Sequence, residues 1–168
     1  MAKEQRPRIA IELTGLDRAL EGLALSGLLV LILLPAVYYA DLPDTIPQHF
    51  NAKGEADGFG SKTFVWFLPG IGAALYIFMT VLNRSPHIFN YTVKITEENA
   101  AEQYRLATRL IRWLKAFVVL LFVYITWGII SGAMTGKTSL SPWLLFVVLA
   151  INFGTIGWYW TASWRKRK

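Results

Sequence analysis

At 168 residues, 54% of them hydrophobic and 17% charged, the chain is too apolar for an ordinary soluble domain, which carries about 25% charged residues. The formal charge of +6 invites a nucleic-acid reading, but the basic residues are distributed by segment rather than gathered in one patch, and no nucleic-acid partner is expected. The absence of cysteine excludes disulfides, thiolate metal ligands and thiol nucleophiles.

Four runs free of Asp, Glu, Lys and Arg, at residues 22–39, 63–82, 116–134 and 142–164, approach or exceed the roughly 20 residues that cross a bilayer core as a helix. They predict an all-α polytopic membrane domain with four transmembrane helices, and this single domain takes in residues 1–168. Of the 17 Lys and Arg, 14 lie before the first run, between the second and third, or after the fourth, and three lie elsewhere. By the positive-inside rule this places both termini in the cytoplasm and the 40–62 loop outside. A bacterial inner membrane is the expected location.

Residues 1–21 are expected to form a cytoplasmic arm along the membrane surface, with Thr14 to Asp17 supplying capping groups for the first helix. The run at 22–39 is longer than the apolar region of a cleavable signal and has the bulky Tyr38 three residues before a candidate cut after Ala40, so a retained span is expected. Pro35 near its end is positioned to kink it or release a carbonyl.

The loop at 40–62 carries most of the sequence's punctuation. Pro43 and Pro47 push the residues before them toward extended backbone, Asp57-Gly58 is a turn signal, and Gly54 and Gly60 make positive φ cheap. An ordered extracytoplasmic loop is expected, with Ile46, Phe50 and Phe59 turned inward and Ser61 capping the next helix. In the second span, Gly70 and Ala74 form a small-xxx-small pair that lets a neighbour approach.

The cytoplasmic segment at 83–115 predicts a helix start with Thr96 as N-cap and Glu97 and Glu98 in its first turn. From there nothing but Gly128 and Gly132 interrupts a helix to Met134. Such a helix is about 57 Å long against a hydrocarbon core of about 30 Å, so roughly half of it is expected to project into the cytoplasm or lie bent along the membrane. That half reads as an amphipathic stalk on the preceding loop, and a partner-binding helix is the alternative. Gly128-xxx-Gly132 is a helix-packing motif. A short outer turn at 135–141 leads to the fourth span, which ends in a belt of Trp158, Tyr159, Trp160 and Trp164 before a basic tail at 165–168.

Within the spans Asn152 is the main strongly polar side chain, read as an interhelical hydrogen bond rather than a transport site. The zinc-protease, nucleophile-elbow, phosphate-loop and dinucleotide motifs are all missing, and no enzymatic activity is expected. Asp44, His49, Glu55 and Asp57 form the one acid and imidazole cluster. They lack the second His or the ligand periodicity of a metal site, so neither metal nor cofactor is expected.

The residues Leu42-Pro43, Ile46-Pro47, His49-Phe50-Asn51, Gly54, Asp57-Gly58 and Gly60-Ser61-Lys62 resemble the LPxxIPxHFNxxGxxDGxGSK signature of a family of uncharacterised bacterial membrane domains. The same domain forms the N-terminal part of SdpI-type proteins, which protect a cell from its own membrane-active toxin and act in signal transduction. Residues 86–91 and 95–104 resemble a stand-alone variant of it. The longer immunity proteins carry further spans after this domain, and the family supplies no catalytic residues.

The resemblance and the loop together point to a non-enzymatic SdpI-like protein that binds or senses a peptide, a lipid or another membrane protein at the bilayer surface. His49, Asn51, Asp57 and Lys62 are the candidate contacts, shaped by Pro43, Pro47, Gly54, Gly58 and Gly60. The alternative is a structural accessory subunit of a larger membrane complex, suggested by the aromatic faces and small-residue motifs. The oligomeric state is left open.

Overall fold

The computed structural model describes residues 6–137 and 140–167. Residues 1–5 of the expected arm, 138–139 of the expected short turn and Lys168 of the tail lie outside the described residues. Four helices, α1 Gly15–Tyr38, α2 Phe67–Leu82, α3 Ala100–Thr135 and α4 Leu144–Arg165, dominate the chain. With the 3₁₀ turn Lys62–Trp66 leading directly into α2, each of the four is long and apolar enough to cross a membrane. This is the build of a multi-pass membrane protein.

The architecture departs from all-α in one place. Residues 45–61 form an antiparallel hairpin of β1 Thr45–Phe50 and β2 Ala56–Ser61. Pro47 and the glycines of β2 hide these strands from a pattern reading, because Pro lacks a ladder donor and Gly carries no side chain to show alternation.

α1 packs mainly on α3, and α2 closes against both, while α4 lies chiefly against α3. Close approach is set by small residues. A Cβ on Gly27 of α1 would lie 3.0 Å from Val119, and one on Gly72 of α2 would lie 2.6 Å from Leu31. Gly70 and Ala74 instead face outward, and a Cβ on Gly70 would meet nothing. The helix-packing small residue of α2 is therefore Gly72, half a turn from the expected pair.

Helix ends follow local chemistry. Thr14 and Asp17 form a reciprocal capping box at the start of α1. Ser61 accepts from the Thr63 amide at the entrance to the 3₁₀ turn. α3 begins at Ala100, three residues later than expected, because Thr96 and Asn99 bond each other across a closed turn over 96–99. The Thr96 hydroxyl also bonds Glu98 and holds its carboxyl below the usual glutamate range.

At that end residues 6–11 of the expected arm pack on protein. Tyr104 Oη donates to the Pro7 carbonyl (3.0 Å), and Arg6 reaches the His87 and Phe89 carbonyls and stacks on Tyr91. Ile11 covers the small core of Ile95, Ala100 and Tyr104. Burial pushes the Tyr91 hydroxyl well above the usual phenol range. Tyr159 is likewise turned inward, onto Leu106 and Ala107, whereas Trp158, Trp160 and Trp164 are exposed.

Candidate functional site

The hairpin sits on the end of the bundle where α1 stops and α2 starts. Ile46 is fully buried and joins Leu42, Val65, Ile129 and Ile130 in one core, with Tyr38, Tyr39, Phe50 and Leu68 packed around it. Burying an isoleucine of this kind contributes about 1.5–3 kcal/mol, so β1 is fastened to the helices by its own apolar face. The strand alternation then decides the rest. Gly60 stands opposite Ile46, and Phe59, one residue out of step, takes the other face. Phe59 is therefore 58% exposed rather than turned inward, while Phe50 is half-buried as part of the core rim.

The turn is built by Asn51. Its Oδ1 accepts from the Lys53 and Glu55 amides (2.9 and 3.1 Å), its Nδ2 donates to the Glu55 carboxylate (3.1 Å), and its backbone pairs with Gly54 and Glu55. Gly54 has φ 81°, and its carbonyl accepts from the Leu140 amide at 2.7 Å. A Cβ there would lie 2.1 Å from the Leu140 carbonyl oxygen. The Leu140 side chain in turn fills the space over Gly128, where a Cβ would lie 2.4 Å from Leu140 Cδ2. Gly128 thus admits a loop side chain, a plug that ties the hairpin to the connection between α3 and α4.

At the base, Lys62 Nζ contacts Asp44 (3.1 Å) and the Leu42 carbonyl (3.4 Å) and lies over the Tyr39 ring. Pro43 is exposed at the bend before β1, and Pro47 is buried within β1. Gly58 leaves room for the His49 side chain opposite it, and Gly60 for the Gln48 side chain that lies over it. His49 Nδ1 and Asp57 Oδ1 meet at 2.5 Å on the exposed face, on the same face as Phe59.

The four expected contact residues therefore divide. His49 and Asp57 come together at the surface, whereas Asn51 and Lys62 are consumed in building the hairpin. The acid and imidazole cluster does not converge either, because Asp44 pairs with Lys62 and Glu55 with Asn51. Among the described residues no three His, Cys, Asp or Glu side chains are grouped to hold a metal. Beside the turn, Phe50, Asn51, Leu121, Ile125, Leu140 and Leu144 line a cleft of about 310 Å³.

A second polar constellation lies at the opposite end and escaped the sequence reading. Arg109 of α3 forks onto Asp17 of α1 (Nε to Oδ1 3.0 Å, Nη2 to Oδ2 3.2 Å) and also donates to Thr14. Lys115, fully buried, donates to Glu21 (2.6 Å) and to Thr80 of α2 (2.9 Å) and sits over the Tyr76 ring. Arg112 lies between them, its Nε 3.2 Å from Glu21 but not aimed for a hydrogen bond. The spacing of Asp17 and Glu21, four apart, and of Arg109, Arg112 and Lys115, three apart, was the available signal: each set occupies one helix face. Asn152 donates to Val148 of its own helix and has no interhelical bond among the described residues.

The profile of the family described as Domain of unknown function (DUF1648) matches residues 27–73, which hold the second half of α1, the hairpin and the first turns of α2. A protein of Archaeoglobus fulgidus described as an uncharacterized protein is 37% identical over 86 residues, 46% of this chain and 47% of that protein. The chain thus spans about half the length of the curated relative it matches. No solved structure matches.

Proposed function

We propose that the chain is a non-enzymatic, SdpI-like protein of the bacterial inner membrane, with both termini cytoplasmic, whose hairpin recognises a peptide or a membrane-protein partner at the outer surface. The observation that carries this reading is the exposed face of His49, Asp57 and Phe59. An aromatic ring stands in solvent beside a paired imidazole and carboxylate, on strands immobilised from both sides by Ile46 and by the Gly54–Leu140 clip. Preformed aromatic and polar groups of this kind bind without the cost of ordering a loop. Contact therefore falls to His49, Asp57 and Phe59, and Asn51 and Lys62 hold the hairpin's shape.

A photo-crosslinking side chain installed at position 59 in native membranes tests this. A discrete partner captured at 59, and lost in His49→Ala/Asp57→Ala, is the expected result. Crosslinks to lipid alone, or a partner captured equally in the double variant, would refute it.

The accessory-subunit reading is favoured by α4, which packs on α3 and exposes Phe146, Phe153 and Trp160, with open space beside Gly154 and Gly157. It predicts a stoichiometric partner in mild detergent that survives the hairpin double variant and is lost when Gly157 is enlarged to Leu.

A further inference from the structure

We propose that the groove between the start of α1, the middle of α3 and the second half of α4 is a binding site for one anionic phospholipid, with the lipid phosphate held by Arg109. The groove encloses about 390 Å³, within the roughly 300–1,000 Å³ of small-molecule sites. Leu16 and Leu20 line it from α1, Leu110 and Trp113 from α3, and Gly154 and Trp158 from α4. Leu16, Trp113 and Trp158 are each at least 40% exposed, so this apolar surface has no covering among the described residues.

The chemistry along the groove is graded. α3 runs from the basic end toward the hairpin, so Arg109 lies one helical turn nearer the basic end than Trp113. Trp113 Nε1 is already satisfied by Thr155 Oγ1 at 3.1 Å, which leaves the deep part of the groove suited to an acyl chain. Arg109 uses Nε and Nη2 on Asp17 and Thr14, and its Nη1 has no hydrogen-bond partner among the described residues. The cluster behind it sets three cations, Arg109, Arg112 and Lys115, against two carboxylates, Asp17 and Glu21, and so carries one positive charge in excess. An apolar channel ending at a guanidinium with a free edge, in front of a cluster with one positive charge in excess, is complementary to a phosphate carrying a hydrocarbon tail.

Gly154 permits a test that spares the ion cluster. A Cβ there would meet nothing within 4 Å, so Gly154→Leu adds bulk to the groove from a position where its first atom is unobstructed. Gly70→Leu, equally unobstructed on α2 and outside the groove, is the control.

The delipidated chain would be titrated with phosphatidylglycerol or phosphatidylcholine and read by native mass spectrometry. Wild type and Gly70→Leu should each retain one phosphatidylglycerol, preferred over phosphatidylcholine by about fivefold, the effect of one basic side chain near an anionic headgroup. Gly154→Leu should lose it, and Arg109→Gln, if it folds, should lose the headgroup preference while still taking lipid. Equal retention of the two lipids by wild type, undiminished binding by Gly154→Leu, or displacement of the lipid by inorganic phosphate alone would each overturn the proposal.

Discussion

Among the described residues two glycines take a positive φ, Gly54 at 81° and Gly136 at 70°, but only Gly54 is pressed against a neighbour. Left-handed backbone costs a side-chain-bearing residue about 1 kcal/mol, and Gly136→Ala, with nothing within 4 Å, should cost about that much. Gly54→Ala must in addition break the clip to Leu140, and a loss above about 3 kcal/mol is expected. Chemical unfolding in detergent micelles, followed by circular dichroism, would distinguish them; equal losses would mean that the Leu140 contact contributes nothing. The buried charges allow a second comparison at this scale. Lys115→Met leaves Glu21 facing only the poorly aimed Arg112, and because the Glu21 side chain keeps 29% exposure the loss should fall at or below the low end of the about 3–5 kcal/mol of a fully buried pair. The double variant Glu21→Gln/Lys115→Met removes both charges and should recover much of that loss. If instead the two substitutions add, the pair is not coupled.

The C-terminal end of α4 shows how one helix is finished by another. Gln103 of α3 donates to the carbonyls of Ser163 and Lys166 and accepts from the Ser163 hydroxyl, while Asn99 donates to the Arg167 carbonyl. These side chains satisfy orphan carbonyls at the C-terminus of α4 that would otherwise be left without partners. Gln103→Leu should therefore fray the last turn of α4, with a loss of about 1–3 kcal/mol and faster hydrogen exchange confined to residues near 163–167. Exchange unchanged there would show the bonds to be incidental. The sequence revealed the elements better than these joints. Four charge-free runs mark the spans, and the absence of breakers between Glu97 and Met134 marks the length of α3. The hairpin was harder to see because Pro47, Gly58 and Gly60 erase the alternation that identifies strands. The charge cluster was hidden differently: Arg109, Arg112 and Lys115 look the same whether they signal topology or bind Asp17 and Glu21, and only the pairing of α1 with α3 decides. Gln103 and Ser163 are 60 residues apart, and nothing local in either segment announces their contact.

The charges of the whole molecule are divided between its two ends. Around the ion cluster the described residues carry twelve Lys and Arg against six Asp and Glu, whereas residues 39–62 with 136–141 carry three Lys against four Asp and Glu. The basic set is also tied to the scaffold, through Arg109 to Asp17, Lys115 to Glu21 and Lys166 to Glu102, so these side chains serve helix packing as well as any orientation signal. Packing alone predicts no sidedness, while the positive-inside rule sends the twelve-residue end to the cytoplasm. The absence of cysteine makes the two accounts separable. Single cysteines at Lys53, exposed in the hairpin turn, and at Glu98, exposed in the turn before α3, can be probed with a membrane-impermeant maleimide. Labelling of Lys53→Cys in intact spheroplasts, with Glu98→Cys labelled only after permeabilisation, is the expected pattern. The reverse pattern would put the hairpin in the cytoplasm and remove its proposed extracytoplasmic partner, and labelling of both in intact cells would mean that the charges hold the fold together without orienting it.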